Sequence, residues 1–200
     1  MDHIGMDQLS GFLGGIRISS SPSYGADTGE DFDDSSACVE AKMDTQSMFG
    51  GGAADIAGMA KSGSGLSAQL KKVKGIRVRR GHIIDGIQAI YADNSEAPFH
   101  GSRTGGSEAV IVFDEGDELK SIEGSYGVPF AGISGGAISR LTVRTKKGKI
   151  YGPHGNGVQS SFRIEIPEGG VFAGFHGKAS KGGNGGFLAR IGLLYGGGKG

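Results

Sequence analysis

The feature that most constrains this chain is a short pattern that occurs three times. It runs glycine, three residues, a small or acidic residue, one residue, then an aliphatic one. The copies are Gly81-His82-Ile83-Ile84-Asp85-Gly86-Ile87, Gly135-Gly136-Ala137-Ile138-Ser139-Arg140-Leu141 and Gly185-Gly186-Phe187-Leu188-Ala189-Arg190-Ile191. Their first glycines lie 54 and 50 residues apart, a spacing that suits a four-stranded unit repeated around an axis. Each copy turns a loop into a strand and sets its fifth residue at the strand's start. Units of this kind bury one face only, so three of them are expected to share a single apolar core.

The residues around the repeats support strands. Leu141 and Val143 alternate with Arg140, Thr142 and Arg144, and Phe162, Ile164 and Ile166 alternate with Ser161, Arg163 and Glu165. A period of two is that of a half-buried antiparallel sheet. Strands are predicted at 75–80, 85–91, 109–113, 119–124, 139–145, 149–151, 161–166, 171–175 and 187–195. The 41 glycines among 200 residues, with only 5 prolines and no Gly-X-Y period, fit many tight turns and exclude collagen.

Before Lys74 the composition differs: Gly, Ser, Ala, Asp and Met dominate and periodicity is weak. Residues 1–24 read as an N-terminal extension, 25–34 as a first strand, 35–74 as a mobile or partly helical insertion, 75–195 as the main domain and 196–200 as a flexible tail. Short helices are predicted at Ala53–Lys61 and Leu66–Lys74, weakened by Gly58, Gly63 and Gly65.

Formal charge is zero and the pI near 7, so the molecule as a whole carries no field for nucleic acid or an anionic membrane. Lys71, Lys72, Lys74, Arg77, Arg79 and Arg80 form a basic run. The interleaving of Arg77 and Arg79 with Ile76 and Val78 assigns it to a solvated strand face. The lone Cys38 has no internal disulfide partner. Met1–Ser10 lacks the apolar core of a signal peptide, so a cytoplasmic location or a non-classical export route is expected. No stretch reaches transmembrane length.

Rival chemistries fit poorly. Gly132-Ile133-Ser134-Gly135-Gly136 matches a Gly-x-Ser-x-Gly elbow, but that elbow needs a following helix and here an alternating strand follows. His3, His82, His100, His154 and His176 lack metal-ligand spacing, and Gly196–Gly200 lacks the remaining features of a phosphate loop. No cofactor or metal is expected.

The ordered series Gly75-Ile76-Arg77-Val78-Arg79, Ile84-Asp85-Gly86-Ile87-Gln88, Ile122-Glu123-Gly124-Ser125-Tyr126-Gly127, Ile138-Ser139-Arg140-Leu141-Thr142-Val143, Lys149-Ile150-Tyr151-Gly152-Pro153 and Phe172-Ala173-Gly174-Phe175-His176-Gly177 resembles the jacalin-related lectins. The resemblance covers Gly75 to Tyr195, and Gly29-Glu30-Asp31-Phe32-Asp33-Asp34 looks like the family's first strand, separated here by about forty residues in place of a short turn. It implies an all-β chain: a β-prism I of three four-stranded antiparallel Greek-key sheets with pseudo-threefold symmetry. It also implies a binding module, not an enzyme.

In that family a sugar is held by the Asp of a Gly-x-x-x-Asp loop, by backbone amides of that loop and by a neighbouring glycine-rich loop. The family's usual site falls on Gly185, Phe187 and Ala189, where alanine supplies no acceptor, so this site is expected to be degenerate. The first copy keeps the pattern. The resemblance therefore places a sugar on the loop opened by Gly81, with Asp85 as carboxylate acceptor, the amides of His82 and Ile83 as donors, and Gly105 and Gly106 as the wall that permits close approach. Asp85 would equally serve as a strand-start residue capping its own turn, and Gly105-Gly106 as a plain hairpin turn. The expected ligands are mannose- or glucose-type glycans or glycoconjugates, with avidity supplied by a homo-oligomer or by fusion. The alternative is a β-prism scaffold or protein-interaction domain with a degenerate sugar site.

Overall fold

The computed structural model describes residues 11–13, 16–43, 66–128, 135–157, 159–180 and 186–197. Sixteen strands and no helix are found among them: β1 Gly11–Leu13, β2 Ile16–Ser20, β3 Tyr24–Gly25, β4 Glu30–Asp33, β5 Val39–Met43, β6 Leu66–Leu70, β7 Val73–Arg80, β8 Ile84–Tyr91, β9 His100–Gly101, β10 Ser107–Val112, β11 Leu119–Gly127, β12 Ala137–Thr145, β13 Ile150–Gly155, β14 Ser160–Glu165, β15 Val171–Ser180 and β16 Phe187–Gly196. All nine strands expected from alternation are present, with ends moved by a few residues.

Three antiparallel sheets form a β-prism. Two have four strands, ordered β10-β7-β8-β9 and β13-β12-β11-β14, and the third runs β1-β2-β16-β15-β4 with β3 also on β16. Inward residues from all three sheets, among them Ile76, Ile87, Leu119, Ile122, Leu141, Phe175, Ile191 and Leu193, form one buried cluster. A fully buried side chain of this size is worth about 1.5–3 kcal/mol. That shared core is why no single sheet would stand alone.

The repeat is expressed as geometry. The third residues of the three copies, Ile83, Ala137 and Phe187, pack together as a small separate cluster, so the copies meet around the pseudo-threefold axis. The fourth residues, Ile84, Ile138 and Leu188, are fully buried. The fifth residues diverge: Ser139 and Ala189 are fully buried, whereas Asp85 is only partly so.

Three expectations are corrected. The extension at 1–24 is not outside the domain, because β2 pairs with β16 through Leu194↔Ser20, Tyr195↔Ser19 and Gly196↔Ile18. The cause is Ile18, only 2% exposed in the common core. The third sheet consequently has six strands instead of four. The helix expected at Leu66–Lys74 is instead β6 and the start of β7, and β6 pairs with β5 from Val39↔Leu70 to Met43↔Leu66. Satisfying that backbone across two strands outweighs the weak local helix preference. The helix expected at Ala53–Lys61 lies outside the described residues. The segment Glu30–Asp33 does act as a strand of the prism, on β15 through Phe32↔Gly177 and Asp33↔His176.

Candidate functional site

The first repeat loop joins β7 to β8, and its turn is closed by Gly81 N–H donating to the Ile83 carbonyl at 2.9 Å. Asp85 follows at the second residue of β8. Its backbone carbonyl accepts from Ser102 N–H at 2.8 Å, which draws the 101–106 loop across the strand end. Gly106, at φ +55°, lies so close that a methyl group there would stand 2.7 Å from Asp85 Oδ2, and one at Gly81 would stand 3.7 Å from the same atom. Gly81, Asp85 and Gly106 are thereby brought together. Gly105, at φ +81°, faces open space, with nothing within 4 Å of a methyl group placed there.

Asp85 Oδ2 is buried and has no hydrogen-bond partner among the described residues. That oxygen does not cap the turn. Burial pushes the carboxyl above its ordinary pKa, and the nearby Arg79 charge offsets this in part. An acceptor in this condition costs folding free energy until a donor reaches it. His82 is exposed, with its carbonyl accepting from Asn156 N–H at 3.2 Å. The Ile83 side chain points into the small axial cluster, which leaves only its backbone for any ligand.

Sequence reasoning missed the parts that hold this loop. Arg79, read as a solvated strand residue, donates from Nε to the Gly105 carbonyl at 2.6 Å and faces Glu108 at 3.9 Å. Phe99 lies over Gly86, where a methyl group would meet its ring at 2.3 Å, and the Arg103 guanidinium sits 4.5 Å from the centre of that ring. Arg80 Nε and both ring nitrogens of His154 are buried without a hydrogen-bond partner among the described residues; burial, and then the Arg80 charge, lowers the His154 pKa. Only the basic run signalled Arg79 and Arg80, and it did not reveal their contacts.

The other two copies offer no comparable acceptor. Ser139 Oγ is held by Ser125 Oγ and by Gln159 Oε1, each at 3.1 Å. Ala189 is fully buried, and its carbonyl accepts from Ala26 N–H at 2.9 Å. Phe187 belongs to the axial cluster, and Gly185 lies outside the described residues. Two clefts lie elsewhere on the surface. One of about 610 Å³ is lined by Glu123, Ser125, Arg140, Thr142, Ser161 and Arg163. The other, of about 410 Å³, is lined among others by Asp27, Asp31, His176, Lys178 and Arg190. Neither includes the Asp85 loop. No cluster of three metal-ligating side chains occurs among the described residues, and no described helix is long and apolar enough to cross a membrane.

Three antiparallel sheets around one shared apolar core define the β-prism class of proteins. The sequence profile of the Jacalin-like lectin domain matches residues 49–193, and the chain belongs to that family of lectin domains. Its relatives include Jacalin-related lectin 36 of Arabidopsis thaliana, 28% identical over 109 residues, and Jacalin-related lectin 33 of the same plant, 30% identical over 113 residues. These matches take in 54% and 52% of this chain but only 23% and 37% of the relatives. Similar solved structures include the artocarpin–mannotriose complex, with TM-score 0.62, 21% identity and coverage of 89% of this chain and 97% of that one. A mannose-binding lectin from Champedak gives 0.60, 18%, 88% and 94%. A mannose-binding jacalin-related lectin from Ananas comosus gives 0.60, 19%, 89% and 96%. At these identities the structural likeness establishes the fold.

Proposed function

We propose that the chain binds mannose- or glucose-type glycans through the first repeat loop. Asp85 acts as acceptor for two adjacent sugar hydroxyls, the amides of His82 and Ile83 donate, and Gly81, Gly105 and Gly106 leave room for the ring. The observation that carries this reading is the unpartnered carboxylate oxygen of Asp85 set against Gly106. Among the fifth residues of the three copies it is the charged one and the one left partly exposed. The mannose-binding character stated for the Champedak and Ananas comosus proteins points the same way.

A small polar ligand buries little surface, so each site is weak, with a Kd on the order of millimolar, about −4 kcal/mol. Useful avidity then requires several sites, through association of copies or fusion to other binding units. Titration of methyl mannoside and mannotriose into isotopically labelled protein tests the reading. Chemical-shift changes should centre on 81–85 and 105–106, and Asp85→Asn should weaken binding by about 1.5–3 kcal/mol, the worth of a charged hydrogen bond. Shifts that survive Asp85→Asn, or no response to any glycan, would overturn it and favour a β-prism that serves as a scaffold.

A further inference from the structure

Pseudo-threefold symmetry makes Arg140 and Arg190 counterparts, each the sixth residue of its copy. Arg190 shows what a guanidinium at this place does. It donates to the Ser23 carbonyl at 3.0 Å, the Gly25 carbonyl at 3.0 Å and the Asp27 carboxylate at 2.8 Å, so a loop of the chain itself supplies its oxygens. The Arg140 side chain has no hydrogen-bond or ion-pair partner among the described residues. Its neighbours on the same sheet face are satisfied: Arg144 holds Glu123 at 2.8 Å, and Arg163 holds Glu165 at 2.6 Å and Glu123 at 3.4 Å. The unpaired Arg140 charge is therefore half-buried in the cleft of about 610 Å³, beside Thr142 and Ser161. That volume lies within the range of ligand pockets.

We infer that the outer face of the β13-β12-β11-β14 sheet binds the anionic substituent, carboxylate or sulfate, of an acidic glycan. Arg140 supplies the charged, fork-shaped donor, and the Thr142 and Ser161 hydroxyls meet the ring oxygens. The ligand replaces for Arg140 the carbonyl and carboxylate oxygens that residues 23–27 give Arg190. The site lies on a sheet face, away from the Asp85 loop, and stands whether or not that loop binds sugar.

The test is titration of the labelled chain with a uronate oligosaccharide, a sulfated oligosaccharide, neutral mannotriose and sodium sulfate. Either acidic glycan should shift resonances at 123–125, 140–142 and 161–163, and the comparison of the two identifies the preferred substituent. Mannotriose should leave them unmoved, and sodium sulfate should act only at much higher concentration. Arg140→Gln should weaken acidic-glycan binding about tenfold, and Glu123→Gln, which removes the one competing carboxylate, should strengthen it. A gain from Glu123→Gln does not arise from a damaged fold. Asp85→Asn should leave this binding unchanged, which separates it from the first-repeat site. Silence towards both acidic glycans, equal binding of sodium sulfate, or unchanged affinity in Arg140→Gln would overturn the proposal.

Discussion

Asp34 and His100, 66 positions apart, meet through a 2.6 Å hydrogen bond between Asp34 Oδ1 and His100 Nε2. The other carboxylate oxygen accepts from Phe175 N–H at 3.0 Å, and Phe32 stacks on the His100 ring at 3.8 Å. Asp34 thus ties together the end of β4, the strand β9 and the middle of β15. Asp34, His100 and Phe175 are buried, and Phe32 is partly so. Removing one member of a buried polar pair strands the other, at about 3–5 kcal/mol. Asp34→Ala should lower the urea unfolding free energy by that order, and Asp34→Asn, which keeps an acceptor for Phe175, by less.

Asp85 should behave in the opposite way. Its folded-state pKa is raised, so the charged form is disfavoured in the folded chain, and its cost to stability is fully present above that value. The cost disappears as pH falls through the raised pKa towards the unfolded one. Asp85→Asn should therefore raise the urea midpoint at pH 7 and match the parent near pH 3. Sugar binding should fade on acidification sooner than an ordinary carboxylate would allow, as followed by mannoside titrations at stepped pH.

The two wall glycines should respond differently to a methyl group. Gly105→Ala meets no atom and bears only the left-handed backbone strain, about 1–2 kcal/mol, while its methyl projects into the space a sugar ring would use. Gly106→Ala adds overlap at 2.3 Å with the Arg80 carbonyl, so its loss of stability should be larger, about 3 kcal/mol in all. Thermal melts and mannoside titrations on both variants check the order: Gly105→Ala folds nearly normally and binds poorly, and Gly106→Ala fails on both counts.

Cys38 is fully buried, with its thiol donating to the Ser35 carbonyl at 3.2 Å. Burial, followed by the Asp34 charge, pushes the thiol up to about 12. It should be inert towards thiol reagents in native buffer, because the thiolate is the reactive form. Labelling should appear only with global unfolding, and a dose series of reagent against denaturant measures it. Labelling at the native rate of a free thiol would contradict the packing.

What the sequence made legible was local. Alternation at Phe162, Ile164 and Ile166 identified a half-buried strand, and the glycine-led repeat located the starts of β8, β12 and β16 with their shared axis. What escaped depended on partners far away in the chain. Leu66-Ser67-Ala68-Gln69-Leu70 carries apolar residues two and four apart, a spacing open to either helix or strand until Val39–Met43 lies beside it. Ile18 lies in a segment read as an extension, because its partner Gly196 comes from β16, far along the chain. At the candidate site the carboxylate and glycines were readable as a pattern. Arg79 was not, since nothing in an alternating basic strand reveals that one guanidinium reaches back to a carbonyl at Gly105.

The six-stranded sheet differs from its two neighbours in how far along the chain its partners are drawn. β7 with β8 and β11 with β12 close as near hairpins, whereas Ile18 must find Gly196 and Phe32 must find Gly177. Closing such long loops before any contact rewards them is the entropically expensive step of assembly. The molecule should therefore mature in order: two faces set early, and the last waits until sequence from both distant segments converges, leaving Phe172, Phe175 and Leu193 exposed to other chains in the interval.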